Sequence, residues 1–147
     1  MKPVKASIDH DPENGTYGDC FRAVIASILE LDRDQVPHFF DGGVSAETGY
    51  QRIDEWLSRA GLTYLETAYP ADDFINAIDF VKVTGTSYPG FLLIVGGSVS
   101  EGVNHVVIVK DGETVHDPAV NGSGLSGPTS LGYYSIGFLV SAVHVPK

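Results

Sequence analysis

The first part of the chain carries apolar residues at helical spacing. Five large ones recur every three or four positions between residues 19 and 31: Phe21, Val24, Ile25, Ile28 and Leu31. Alanines fill other faces of the same segment, which is therefore apolar on nearly all sides and predicts a central, buried helix. Asp19 is a good N-cap residue, and this places Cys20 in the first turn of that helix.

Three further helices are predicted downstream. A short one begins at Asp32 and ends before Pro37, which cannot continue it. Residues 45–61 form a second long helix, which Gly61 closes as a C-cap residue. Residues 70–81 indicate another short helix, because four apolar positions recur there at helical spacing.

The remaining pattern is that of β-strands. An alternating run covers residues 62–69, and residues 4–8 read as one edge strand. After Gly90 the sequence consists of β-branched and aromatic runs separated by glycine-bearing turns, at 90–97, 104–111, 113–118 and 133–145. Asp111-Gly112 is a strong hairpin signal between the two middle runs.

Helices therefore come first along the chain and strands afterwards. This order predicts an α+β fold, with the N-terminal helices, including the central buried one, packed on one side of a C-terminal antiparallel β-sheet. The length of 147 residues is that of one domain, 1–147. The polar stretch 121–132 is either a surface loop or the wall of a site.

The charge balance narrows the choice of partners. Nineteen acidic residues against nine basic ones give a net charge of −10, which disfavours nucleic acids and anionic membranes and suits a basic peptide or protein. The longest apolar runs are too short to cross a bilayer. The N-terminal segment lacks the apolar stretch of a secretory signal, so a cytoplasmic protein is expected.

No cofactor and no metal site are predicted. Cys20 is the only cysteine, which excludes an internal disulfide and a multi-cysteine zinc site. The sequence has no Walker loop, no dinucleotide-binding glycine motif and no H-E-x-x-H helix.

Cys20 is the candidate nucleophile. A thiol reacts as its thiolate, and the unpaired N–H groups at a helix start favour negative charge there. The N–H group of Cys20 itself is one candidate donor to an oxyanion. The alternative is that Cys20 is a small core residue, since free cysteines are among the most buried residues.

A thiol nucleophile pairs with an imidazole, which a third group orients. His105 opens the strand HVVIV, and Asp117 ends the strand ETVHD. A turn centred near residue 111 puts these two positions opposite each other, to within one register step. A slip of one residue would turn His116 toward the cleft instead. Taken singly, His105 is a solvated strand-end residue and Asp117 an Asp-Pro turn residue.

Asn14 is a second candidate for the oxyanion site. Its side-chain amide precedes Cys20 by six residues, and Gly15 and Gly18 let the intervening loop fold tightly against the helix. The other interpretation is that Asn14-Gly15 forms an ordinary turn.

The remaining histidines are assigned no catalytic role. His10 belongs to a turn or lines an entrance, and the turn is preferred. His38 belongs to a helix-ending turn. Alternation puts His116 on the face of its strand opposite Asp117, and His144 is an outward position.

The segment NGTYGDC, residues 14–20, resembles the signature of papain-like cysteine peptidases. Residues 103–118 resemble the histidine strand of that family and its following Asn/Asp strand. The order and spacing are similar to the peptidase domains of bacteriocin-exporting transporters and to small bacterial and phage proteins. The resemblance implies a papain-like fold with Cys20 as nucleophile, His105 as base, Asp117 as orienting acid and Asn14 in the oxyanion hole. Asn14 stands where the family has the longer glutamine.

The resulting hypothesis is a thiol hydrolase acting on a peptide or protein: a cysteine peptidase, isopeptidase or amidase with a thioester intermediate. Deamidation and transamidation use the same apparatus and remain open. The alternative is a non-catalytic papain-like module that binds a peptide or protein in its groove. The two differ in whether the sulfur of Cys20 approaches a ring nitrogen of His105 to within about 4 Å.

Overall fold

Helices and a single antiparallel sheet make up the computed structural model, which describes residues 1–99, 103–120 and 122–142. Within these ranges the α-helices are α1 (Cys20–Leu29), α2 (Ala46–Ser58) and α3 (Ala77–Ser87). The strands are β1 (Leu62–Pro70), β2 (Leu93–Ser98), β3 (Asn104–Lys110), β4 (Glu113–His116) and β5 (Tyr133–Ser141). Short 3-10 helices cover Pro12–Asn14, Arg33–Gln35 and Ala71–Asp73. The α+β class is thus the observed one.

The strands are all antiparallel and lie in the order β1-β5-β2-β3-β4. Alternate residues of the central strands face opposite sides of the sheet. Ile94 and Ile108 pack with α1 and α2, whereas Val95 and Val107 pack with α3. The helices therefore cover both faces, and the expectation of a single covered face was wrong, because α3 crosses to the far side.

The helix α1 begins at Cys20 and lies at the centre of the core, as predicted. Its side chains Val24, Ile25 and Ala26 are fully buried. Asp19 occupies the N-cap position, but its side chain makes no capping hydrogen bond to the helix. That carboxylate is used elsewhere, with consequences for the site.

Two predicted elements differ from the structure. The helix expected over 70–81 is a 3-10 turn followed by α3, which starts later because the side chain of Asn76 caps it by accepting the N–H of Asp79 (2.8 Å). The edge strand expected over 4–8 does not form. Its backbone N–H groups bond to side chains and loops instead of to a strand.

The turn at Asp111-Gly112 joins β3 to β4 as a two-residue connection, and both residues have positive φ (51° and 81°). This conformation matches the right-handed twist of a hairpin, and it explains the choice of Asp-Gly.

The hairpin contains a bulge. Val109 pairs with Thr114, but the next pair is Ile108 with His116, so Val115 is an extra residue on β4. The predicted backbone pairing of residues 105 and 117 is therefore not part of the ladder, which ends at His116. A bulge of this kind redirects the side chains that follow it.

No helix in the described parts of the chain is both long and apolar enough to span a bilayer.

Candidate active site

Cys20 lies at the edge of a cavity of about 390 Å³. It is the first residue of α1 and is half-buried. As an N1 residue, it has a backbone N–H without a partner inside the helix. The cavity is lined by Ala6, Ile8, Asp9, His10, Gly18, Cys20, Val99, Val103, Asn104, His105, Ala119 and Val120.

His105 enters the same cavity from the start of β3 and is bound to Asp117. Its Nε2 lies 2.7 Å from Oδ1 of Asp117, and both residues are buried. The predicted contact between these two side chains is therefore present. It arises after the bulge, where Asp117 has left the strand and its side chain is free to reach His105.

His105 and Cys20 line the same cavity, and the interaction with Cys20 contributes to raising the pKa of the His105 ring. A carboxylate only accepts hydrogen bonds, so the ring nitrogen facing Asp117 carries a proton. Nδ1 is consequently the nitrogen available to the thiol. The imidazole bonded to Asp117 therefore lies on the cavity that Cys20 also lines.

Both partners of the His105–Asp117 pair have displaced pKa values. Burial lowers the pKa of His105, but the interactions with Asp117 and Cys20 outweigh it and raise the value from 6.5 to about 9. Burial raises the pKa of Asp117, but hydrogen bonds from His105 and from backbone N–H groups lower it from 3.8 to about 2. At neutral pH the ring is therefore an imidazolium facing a carboxylate.

Asp117 is held by more than His105. Its Oδ1 accepts the N–H of Ala119 (2.9 Å), and its Oδ2 accepts the N–H of Gly124 (2.8 Å). A Cβ on Gly122 would collide with the Asp117 carboxyl group. The stretch 121–132 therefore supports Asp117 through Gly122 and Gly124, although none of its described residues lines the cavity itself.

Asp19 has a role that the sequence did not indicate. Its side chain is 1% exposed and accepts the N–H groups of Ser7 (2.9 Å) and Ile8 (3.0 Å) and the hydroxyl of Ser7 (3.0 Å). Arg22 lies 3.7 Å away. The carboxylate next to the thiol is thus turned away from it and fixes a distant stretch of backbone.

That stretch, residues 1–10, is here named the N-terminal strap. It contributes Ala6, Ile8, Asp9 and His10 to the cavity. Its N–H at Ala6 bonds to the carbonyl of Pro118 (2.8 Å). The strap therefore bridges the start of α1 and the loop after Asp117.

Lys5 strengthens the second of these attachments. Its Nζ donates to the carbonyls of Asp117 (2.8 Å) and Ala119 (3.0 Å). His116 adds another link, since its Nε2 lies 2.7 Å from the carbonyl oxygen of Val4. His116 therefore holds the strap and does not face the cleft.

Asn14 lies outside this arrangement. It is exposed, its amide donates to Oδ2 of Asp11 (2.6 Å), and it does not line the cavity. Gly15 follows with a φ of 76°, so the turn interpretation describes this segment. The structure differs here from the expected oxyanion role, because the 3-10 turn Pro12–Asn14 directs the amide to its own loop.

Of the other histidines, His38 makes a structural contact and His10 lines the cavity. Nε2 of His38 lies 2.7 Å from the carbonyl oxygen of Tyr17. His10 lines the cavity, the less favoured of its two predicted placements. His144 lies outside the described residues. Among those residues no group of three or more metal-ligating side chains is assembled.

Comparison of the chain with protein-family models, with curated proteins and with solved structures gives no match.

Proposed function

We propose that the protein is a papain-like thiol hydrolase that acts on an amide, isopeptide or related acyl bond. Cys20 is the nucleophile, His105 the acid and base, and Asp117 the group that orients the ring. The proposal is carried by one observation: His105, bonded to Asp117 through Nε2, lines the same cavity as Cys20, the first residue of α1. This arrangement favours an enzyme over a non-catalytic binding module on the same fold.

The first half of the reaction is acylation of the thiol. The imidazolium of His105 stabilises a thiolate at Cys20, which attacks the carbonyl carbon of the substrate and forms a C–S bond. The carbonyl oxygen becomes an oxyanion, and the unpaired N–H of Cys20 is positioned to bind it. The oxyanion then collapses, the C–N bond breaks, and the leaving amine takes the proton from His105. A thioester on Cys20 remains.

The second half of the reaction hydrolyses the thioester and regenerates the free Cys20. A water molecule attacks the thioester while neutral His105 accepts one of its protons through Nδ1. The C–S bond breaks, the acid product leaves, and the thiolate–imidazolium pair is restored. An amine in place of water gives transamidation with the same residues, and hydrolysis of a side-chain amide gives deamidation.

The substrate chemistry follows from the cavity. Its walls are mostly small and aliphatic, with Asp9 as a carboxylate. Within the part of the chain that the structure describes, no lysine or arginine lines it. These features, with a net charge of −10, support a neutral or basic peptide or protein segment as the acyl donor.

The test is the alkylation of Cys20 by iodoacetamide at pH 6, where an ordinary thiol is almost wholly protonated. We expect Cys20 to react at least tenfold faster than glutathione if His105 activates it as proposed. The variant His105→Ala is expected to lose the acceleration. The matched control is His38→Gln, which keeps a donor for the Tyr17 carbonyl and does not alter the cavity.

A wild-type rate equal to that of glutathione, unchanged in His105→Ala, contradicts the proposal. Fast alkylation with no turnover across a peptide, ester and amide library favours the binding module instead. Acyl-enzyme formation, read by intact mass after incubation with the library, supports the hydrolase and reports its acyl preference.

A further inference from the structure

His10 is a second imidazole in the cavity, and neither the sequence nor the triad assigns it a task. It lines the cavity together with Cys20, His105 and Gly18. His10 precedes Cys20 by ten residues in the sequence. It nevertheless lies on the same cavity, because Asp19 binds the backbone N–H groups of the strap residues just before it. His10 is thus placed by the same contacts that close the site.

The protonation pattern of His10 is fixed by a backbone contact. The N–H of Gly18 donates to Nδ1 of His10 at 3.2 Å. A ring nitrogen that accepts a hydrogen bond carries no proton, so the proton of the neutral ring is on Nε2. His10 therefore presents one N–H donor, and its acceptor nitrogen is already occupied.

Gly18 makes this close approach possible. A Cβ at residue 18 would lie 3.1 Å from Cβ of His10, tighter than ordinary packing allows. The ring of His10 is also flanked by Tyr17, edge to face, with centroids 6.1 Å apart. Two neighbouring residues thus restrict the ring of His10, which is exposed on the cavity that Cys20 also lines.

The geometry points to His10 as the side-chain donor of the oxyanion site, with Nε2–H binding the carbonyl oxygen as it becomes negative during attack by Cys20. This inference rests on the proposed function and deepens it. It fills the role predicted from the sequence for Asn14, whose amide is bonded to Asp11 outside the cavity. The backbone N–H of Cys20 is the second donor to the same oxygen.

The experiment compares two reactions of one thiol. Acylation by p-nitrophenyl acetate passes through a tetrahedral oxyanion, whereas alkylation by iodoacetamide is a displacement at a saturated carbon and forms none. For His10→Ala we expect acylation of Cys20 to fall about 10²-fold, as for loss of one oxyanion donor, with alkylation unchanged. His10→Gln, which keeps an N–H donor, is expected to recover much of the acylation rate.

Each outcome decides between the possibilities. Equal rates of acylation in His10→Ala and wild type overturn the role of His10. Parallel losses of acylation and alkylation also overturn it, since His10 would then only hold the site together. Asp11→Ala serves as a control variant. If wild-type Cys20 is alkylated rapidly but Asp11→Ala and His10→Ala are acylated at the same rate, the inference about His10 fails and the proposed function stands. If wild-type Cys20 is neither acylated nor alkylated faster than glutathione, the proposed function fails with it.

Discussion

The cavity has two walls of different construction. The imidazole wall consists of the β3–β4 hairpin and residues 117–120, which Gly122 and Gly124 support, and the thiol wall consists of the first turn of α1 and the N-terminal strap. The imidazole wall rests on a strand ladder, interrupted by one bulge, and on short-range contacts to Asp117. The thiol wall rests on isolated hydrogen bonds between an irregular segment and positions 8 to 114 residues away.

This difference indicates that the imidazole wall governs the proposed chemistry and that the thiol wall governs the local stability of the site. Changes in the imidazole wall alter the charge and orientation of His105, so they act on the reaction. Changes in the thiol wall release a segment that has no ladder of its own, so they act first on local stability. The experiments below separate the two, beginning with the largest expected effect.

Removing the orienting carboxylate tests the imidazole wall directly. Asp117→Ala is expected to lower the rate of Cys20 acylation by about 10²–10³-fold, because the ring loses its orientation and its counter-charge. Asp117→Asn keeps an oxygen for Nε2–H and should lose less. The measurement is the single-turnover rate with an activated ester. Full activity in Asp117→Ala would show that Asp117 has no part in the proposed reaction.

Gly122→Ala tests the same wall without touching a reacting group. The new Cβ collides with the Asp117 carboxyl, so we expect the carboxylate to shift and acylation to fall roughly tenfold or more. Gly127→Ala in the same loop is the matched control, because its Cβ meets only Oγ of Ser98 at 3.7 Å. Identical behaviour of the two variants would contradict the crowding at Asp117.

Asp19→Ala tests the thiol wall. It leaves the N–H groups of Ser7 and Ile8 without their buried acceptor, and the free energy of unfolding should fall by about 2–3 kcal/mol. Urea denaturation measures the loss, and amide exchange of residues 1–10 should accelerate. Ser7→Ala removes only the hydroxyl contact and is the milder control. A strap that exchanges as slowly in Asp19→Ala as in wild type would show that Asp19 is dispensable.

The pH dependence of stability sharpens the contribution of the imidazole wall. The pKa of His105 is raised from 6.5 to about 9, so its stabilising contribution is full below pH 6.5 and is lost as the pH rises through 9. The pKa of Asp117 is lowered from 3.8 to about 2, so its contribution is present above pH 3.8 and is lost as the pH falls through 2.

The pair should therefore stabilise the fold most between about pH 4 and 6.5. We expect the difference in urea midpoint between wild type and His105→Ala to be largest in that window, corresponding to about 1–2 kcal/mol. A difference that does not vary with pH would contradict the charged pair.

Asn14→Ala should have the smallest effect. Its amide bonds to Asp11 on the protein surface, so acylation of Cys20 should change by no more than roughly twofold. A loss comparable to that of His10→Ala would return the oxyanion role to Asn14.

The sequence predicted the elements whose signals are local. Helix α1 follows from periodicity and the Asp111-Gly112 turn from one dipeptide. Counting along the hairpin brought His105 and Asp117 together, but the backbone pairing it predicted does not form, and the side chains meet beyond the bulge. The bulge at Val115 was not foreseen, because an extra residue leaves no mark in alternation over so short a strand.

The strap and its contacts were beyond reach for a different reason. Asp19 reads as an N-cap in any sequence, and only the fold brings Ser7 within its reach. The same holds for His10, because the turn-rich sequence around it indicates only a turn. Placement of α3 on the second face also depends on the finished sheet and not on the helix itself.

The strap has a consequence for the order in which the protein is made. Ala6 and Lys5 bind the carbonyls of Pro118, Asp117 and Ala119, and these acceptors leave the ribosome roughly ten seconds later than their donors at ordinary rates of synthesis. During that interval Cys20 has neither its imidazole nor a closed cavity. The proposed nucleophile therefore meets its proposed base only when the hairpin has been synthesised and docked.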